Sequence, residues 1–184
     1  MAPILENWEP FKESRNAYDW LGRGVYFWQE NPARAWQWAN EQMMRSLKKG
    51  TRKAPYEPAV LGAVVDLGLC LDLLSTKGID LVRDGYESLR HRFETAGILG
   101  EMPKNLDLRG RQQDDLALRH LDCAIINKIA ASADPPFDTV RGVFIEGDRL
   151  YDGSGFFEKT HIQVCVRNQK AIKAVFRVNP SEYL

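Results

Sequence analysis

Gly22-Arg23-Gly24-Val25-Tyr26-Phe27-Trp28, running on into Gln29-Glu30-Asn31-Pro32-Ala33-Arg34-Ala35-Trp36-Gln37-Trp38-Ala39, is the stretch around which the chain is organised. Two glycines flanking one arginine make a permissive turn, and Val25 to Trp28 is an aromatic, β-prone run. A helix start follows at once. Asn31 is a good N-cap, and Pro32 takes the first helical position, where its missing N–H leaves nothing unsatisfied. Ala35, Trp38, Ala39, Met43 and Leu47 recur at helical spacing, which predicts a helix from Pro32 to about Leu47. Four of the five tryptophans, Trp20, Trp28, Trp36 and Trp38, fall between residues 18 and 39. Such rings either build a core or stack on a planar ligand, and a lone Gly-x-Gly does not decide between the two.

Downstream, Lys49 to Pro58 is a loop rich in charge and proline. Ala59 to Leu67 is a continuous apolar run bounded by Pro58 and Gly68, the pattern of a central strand covered on both faces. Cys70 to Leu74 extends that strand or turns away from it. Ile79, Val82, Tyr86, Leu89 and Phe93 mark an amphipathic helix that stops near Gly97. Residues 97 to 113 read as a long loop with Arg109 and Arg111 near its end. Asp114 and Asp115 favour a helix N-terminus, Leu118, Leu121, Ile125 and Ile129 form that helix's buried stripe, and Pro135-Pro136 ends it. Asp138 to Ile145 is an expected strand, Glu146 to Lys159 a glycine-rich loop, Thr160 to Arg167 a strand, and Ala171 to Val178 a last strand forming a hairpin with it. Residues 1 to 17 hold a brief helix at most and then a loop. One α+β domain over residues 1–184, closed by an antiparallel group, is the expected architecture.

The composition is that of a globular protein, 44% hydrophobic and 27% charged. Lysine plus arginine equals aspartate plus glutamate at 25 each, so no net basic field favours nucleic acid in bulk. Arg45, Lys48, Lys49, Arg52 and Lys53 form a local basic patch or a solvated helix end. Cys70, Cys123 and Cys165 lie far apart among apolar neighbours, in no metal-ligand spacing, which points to buried reduced thiols and no metal. The N-terminus lacks the pattern of a signal peptide, and no apolar run approaches the roughly 20 residues of a membrane span. The expectation is a cytoplasmic protein with no membrane partner.

The strand around Gln163 alternates cleanly. Ile162, Val164 and Val166 face one way, and His161, Gln163, Cys165 and Arg167 the other. A half-polar face on a late strand is either sheet surface or part of a site.

Gly-Arg-Gly-Val-Tyr-Phe, followed by a helix carrying Ala-x-x-x-Ala, resembles the second conserved block of the diphtheria-toxin-like ADP-ribosyltransferases. That family includes the poly(ADP-ribose) polymerases and small bacterial relatives. The resemblance implies a split antiparallel β-sheet with flanking helices, and NAD as the substrate. It makes Tyr26 the tyrosine that stacks on the nicotinamide ring and brings the Gly22 and Gly24 backbone near its amide. Trp38 joins the cofactor-binding set, and Arg23 suits a pyrophosphate. By the same resemblance, the loop through Gly153-Ser154-Gly155-Phe156-Phe157-Glu158 recognises the acceptor, and Gln163 stands where the family's strand carries its catalytic glutamate. Glutamine can hydrogen-bond a ribose hydroxyl but supplies no negative charge to a developing cation. Glu146, with Glu158 behind it, is the candidate substitute carboxylate, and His161 a candidate for orienting the acceptor nucleophile.

The family's first block has no counterpart in residues 1 to 17, where no histidine occurs and Arg15 is in the wrong context, so two of three blocks are matched. The implied activity is mono-ADP-ribosylation of a macromolecular acceptor, protein or nucleic acid. Free-standing members of this size are often toxins of toxin–antitoxin or phage-defence systems, which adds a possible antitoxin protein as a partner. The alternatives are a catalytically degenerate NAD- or ADP-ribose-binding module and a protein-interaction domain whose tryptophans are core.

Overall fold

In the computed structural model, which describes residues 9–51, 54–106, 118–179 and 181, the opening stretch folds as its pattern requires. Strand β1 (Val25–Trp28) leads into helix α1 (Pro32–Lys48). The Asn31 side chain accepts from the Arg34 amide at 2.9 Å, and Arg45 and Lys48 occupy the last turn, where cations complement the helix dipole.

Strand β2 (Leu61–Val65) comes next, then β3 (Cys70–Asp72) and helix α2 (Thr76–Thr95). Ser75 caps α2, its hydroxyl accepting from Gly78 N–H and donating to the Asp72 carbonyl. Short strands β4 (Asn105–Leu106) and β5 (Leu118–Arg119) pair with each other, and helix α3 (His120–Ser132) follows. Strands β6 (Thr139–Phe144), β7 (His161–Val166) and β8 (Ile172–Arg177) complete the chain. Arg52, Lys53, Arg109, Arg111, Asp114 and Asp115 lie outside the described residues.

The principal sheet has the order β1-β7-β6-β3. The β1–β7 and β7–β6 pairs are antiparallel, whereas β3 runs parallel to β6. A parallel neighbour needs a long crossover, and α2 and α3 lie in it, packed on each other where Gly85 gives Ile125 and Ile129 room. One face of the sheet buries Leu71, Val140, Phe144 and Cys165 under Leu21 and Ile126. The other buries Val25, Val164 and Val166 with Ala171, against Phe11, Val65 and Ile172.

Four expectations change. The apolar run at 59–67 is not a central strand: among the described residues β2 pairs only with β8, in a separate two-stranded ribbon. Val64 is 54% exposed, so the ribbon covers the main sheet with one face and leaves the other to solvent. The expected β7–β8 hairpin does not form. A 3₁₀ turn at Gln169–Ala171 carries the chain out of the main sheet, and β8 crosses to β2. Leu118, expected in the buried stripe of the third helix, lies instead on β5, and the helix begins at His120. The face of β7 that carries His161, Gln163 and Cys165 is largely covered, with His161 5% exposed and Cys165 fully buried. The architecture is mixed α+β, with a four-stranded sheet and two two-stranded ribbons among the described residues, and the parallel β3–β6 pair means that the main sheet is not wholly antiparallel as expected.

Candidate functional site

The polar end of β7 gathers side chains from four parts of the chain. In the antiparallel register Gln163 lies opposite Trp28 on β1 and opposite Gly142 on β6. One step along the same face, His161 lies opposite Phe144. The two rings stack with centroids 5.5 Å apart and planes within 10°, and Trp20 stacks on the far side of Phe144 at 4.3 Å. Trp28 leans on His161 at 6.4 Å and on Trp38 of α1 at 5.3 Å. A column of rings therefore runs from the turn before β1 to the exposed face of α1.

Two ion pairs tie α1 to the loop between β6 and β7. Arg34 Nη2 meets Glu146 Oε2 at 2.7 Å, and Lys159 Nζ meets Glu41 Oε1 at 2.8 Å. Burial works against the Glu41 carboxylate, but the hydrogen bond and charge of Lys159 outweigh it and hold the group below the ordinary glutamate range. Arg34 is 7% exposed. Its Nε and Nη1, together with Trp28 Nε1, are buried donors without a partner among the described residues. Donors left in this way are costly, and each marks a point where an acceptor would be taken.

Burial pushes the His161 imidazole below its ordinary value, and the nearby Arg34 charge adds to this, while the Lys159 carbonyl and Glu146 oppose it. His161 is therefore neutral at neutral pH.

A cleft of about 520 Å³ opens beside this cluster, within the usual size range of small-molecule pockets. Contiguous residues line it, Val25–Trp28 from β1 and Ala59–Ala63 from the approach to β2. Alternate residues would indicate a sheet face, so contiguous ones mean that strand edges form the walls. Pro32, Ala35, Trp38 and Ala39 of α1 and the ring of Phe176 complete a largely apolar lining.

Of the residues singled out from the sequence, Gln163, His161, Glu146 and Trp38 come together at this end of the sheet. Gly22, Arg23 and Gly24 lie at the other end of the same strands, where β1 and β7 begin and end respectively. There Arg23 N–H donates to Asn127 Oδ1 at 3.1 Å, and Arg167 Nη1 donates to the Arg23 carbonyl at 3.1 Å. The Arg23 side chain is exposed on a separate cleft of about 350 Å³ shared with Arg15 and Arg167. Tyr26 stands between the two groups. Its hydroxyl donates to the Gly22 carbonyl at 2.6 Å and accepts from Leu21 N–H at 3.1 Å, and burial drives its pKa far above the ordinary phenol value. That ring locks the glycine turn onto the sheet as well as lining the cleft.

Arg34, Trp28 and the Lys159–Glu41 pair were not singled out from the sequence. Arg34 carried one signal: a cation at the third position of a helix opposes the helix dipole, so it needs an anion from elsewhere.

Among the described residues, no group of three or more His, Cys, Asp or Glu could hold a metal ion, and no helix is long and apolar enough to cross a membrane. No family model, no curated protein and no solved structure matches the chain.

Proposed function

We propose that the chain is an NAD-dependent mono-ADP-ribosyltransferase with an ADP-ribosyltransferase-like divided sheet, acting on a protein or nucleic-acid acceptor. One observation carries the reading: the Gly-x-Gly-Val-Tyr-Phe strand and the Gln163 strand, far apart in sequence, are direct neighbours, with Trp28 and Gln163 paired across them. The resemblance needs these two strands side by side, and α1 sets Ala35 and Ala39 of its Ala-x-x-x-Ala in the cleft beside Trp28, with Gln163 behind β1 and outside the lining.

The residues suit a nicotinamide nucleotide. The cleft is lined by aromatic and small apolar groups, which favour a flat ring, and the unpartnered Nε1 donor of Trp28, one of the lining residues, suits a carbonyl oxygen. Gln163 holds a ribose hydroxyl. Glu146, beside His161, supplies the carboxylate that Gln163 lacks, and the 147–159 loop meets the acceptor. An antitoxin protein that covers this loop belongs to the same proposal.

A second reading has its own support. Glu146 is engaged by Arg34 and Gln163 is uncharged, an arrangement also expected of a module that binds NAD without cleaving it.

Nicotinamide release from NAD, measured with a cell lysate present, tests both readings beside Trp38→Ala, Gln163→Ala and Glu146→Gln. Release that falls at least tenfold in Gln163→Ala and Glu146→Gln supports the transferase. NAD-dependent thermal stabilisation without release supports the binding module. Neither stabilisation nor release removes both.

A further inference from the structure

A second cleft, of about 350 Å³, lies at the glycine-turn end of the sheet and shares no lining residue with the apolar one. Arg15, Arg23 and Arg167 bring three guanidinium groups to it, beside the carboxylates of Glu13 and Asp138. Both carboxylates are already engaged. Glu13 Oε2 accepts from Arg15 Nη2 at 3.1 Å. Asp138 accepts from Asn168 Nδ2 at 2.7 Å and from Leu69 N–H at 3.0 Å. Arg23 and Arg167 have no ion pair among the described residues.

The fold holds these two cations together. Arg23 sits between Gly22 and Gly24, and Arg167 follows Val166, the partner of Val25 at the start of β1. Arg167 Nη1 donates to the Arg23 carbonyl at 3.1 Å and to Asn127 Oδ1 at 3.2 Å, which anchors one side of the guanidinium. Its Nε and Nη2 make no hydrogen bond among the described residues, and neither is sealed from solvent. Burial pulls the Arg167 pKa below its ordinary value, and the Arg23 charge pulls the same way. Two like charges fixed at one turn, each without a counter-charge, are stabilised by an anion set between them.

We propose that this cleft is a binding site for a phosphate monoester, separate from the apolar cleft. The Nε and Nη2 edge of Arg167 is the planar fork that takes two phosphate oxygens, with Arg23 and Arg15 supplying charge beside it. Phe137 and Pro136 form an apolar wall for the organic part of the ester. The volume is at the small end of the ordinary range for ligand pockets, enough for one phosphoryl group and a single ring. This assignment does not rest on the transferase reading.

NMR of the arginine Nε–H groups tests the site, with phenyl phosphate titrated into the wild-type chain at constant ionic strength. The Arg23 and Arg167 signals are expected to move together on one saturable curve. Inorganic phosphate should move the same signals, with affinity about threefold weaker for want of a ring against Phe137. Arg23→Ala removes an exposed side chain with no partner to lose, and should weaken phenyl phosphate binding about fivefold. Arg167→Lys keeps a cation but not the fork, and should weaken it by a similar factor. Arg83→Ala, on an exposed arginine of α2, should leave the affinity unchanged. No saturable shift at Arg23 and Arg167 up to about 10 mM phenyl phosphate, well above a millimolar Kd, overturns the site. An equal loss in Arg83→Ala also overturns it, since general charge attraction would then account for the binding. Inorganic phosphate binding as tightly as the ester overturns the assignment to a monoester.

Discussion

Arg34 shows what pattern alone leaves out at a single residue. Its place in the first turn of α1 calls for an anion but names none; the residue is 7% exposed and bound to Glu146 across 112 positions of sequence. Only the fold brings the two together, because Glu146 follows β6 while Arg34 follows β1. Removing the carboxylate leaves a buried guanidinium uncompensated, which is more damaging than never having had the pair. Glu146→Ala is expected to cost about 2–4 kcal/mol in urea unfolding, reduced from the fully buried case because Glu146 keeps some solvent contact. Glu158→Ala, on an exposed carboxylate of the same loop, is expected to stay within about 0.5 kcal/mol. Equal losses at the two positions would show that the ion pair contributes nothing special. The cysteines were more legible, since apolar neighbours foretold burial at Cys123 and Cys165, although Cys70 is only half-buried. Burial pushes the Cys165 thiol up to about 12 and raises Cys123 as well. Both should resist iodoacetamide at pH 8 in the native chain and react in denaturant, as read by mass spectrometry.

At the scale of elements, the glycine turn before β1 has a structural task that its spacing did not announce. A Cβ on Gly22, whose φ is +76°, would lie 2.7 Å from Asn127 Oδ1 of α3. A Cβ on Gly24 would lie 2.5 Å from Cys165 Sγ and 2.6 Å from the Val166 carbonyl of β7. The two glycines thus let β1 enter the sheet flush against both α3 and β7. Gly24→Ala must push β1 away from β7, and should lower stability by about 2–4 kcal/mol, well beyond the ~1 kcal/mol expected for loss of the α1 cap in Asn31→Ala. Chemical denaturation of the two variants side by side checks the order. Helix α1 was readable almost to the residue because cap, proline and stripe agree. The ribbon was not. A continuous apolar run is shared by central strands and by strands that cover another layer, and the feature that separates them, Phe176 of β8 lying across Gly62, is a contact between segments over 100 residues apart.

For the whole molecule, local pattern located β1, β6 and β7 of the main sheet but left β3 open and said nothing of their order. The parallel β3–β6 pair and the transfer of β8 to the ribbon are pairings between segments far apart in the chain, which no stretch of sequence states by itself. The rings of Phe144 and Trp28 bury His161, and that makes the stability of the fold depend on pH. A histidine whose folded pKa lies below its unfolded value of 6.5 is neutral when folded and takes up a proton more readily when unfolded. Its contribution is fully present above 6.5 and is lost as pH falls from there towards the lower folded value. Glu41 and Asp138, held below their ordinary values of 4.5 and 3.8, lose their contributions in a separate and more acidic window. Urea midpoints measured between pH 8 and pH 3 should therefore show two falls, one beginning near 6.5 and a second below 4.5. His161→Phe should abolish the first and keep the second, even if its midpoint at pH 8 is lower. A wild-type profile flat between pH 8 and pH 5 would mean that the folded chain binds a proton at His161 as easily as the unfolded one, contrary to its burial between two rings.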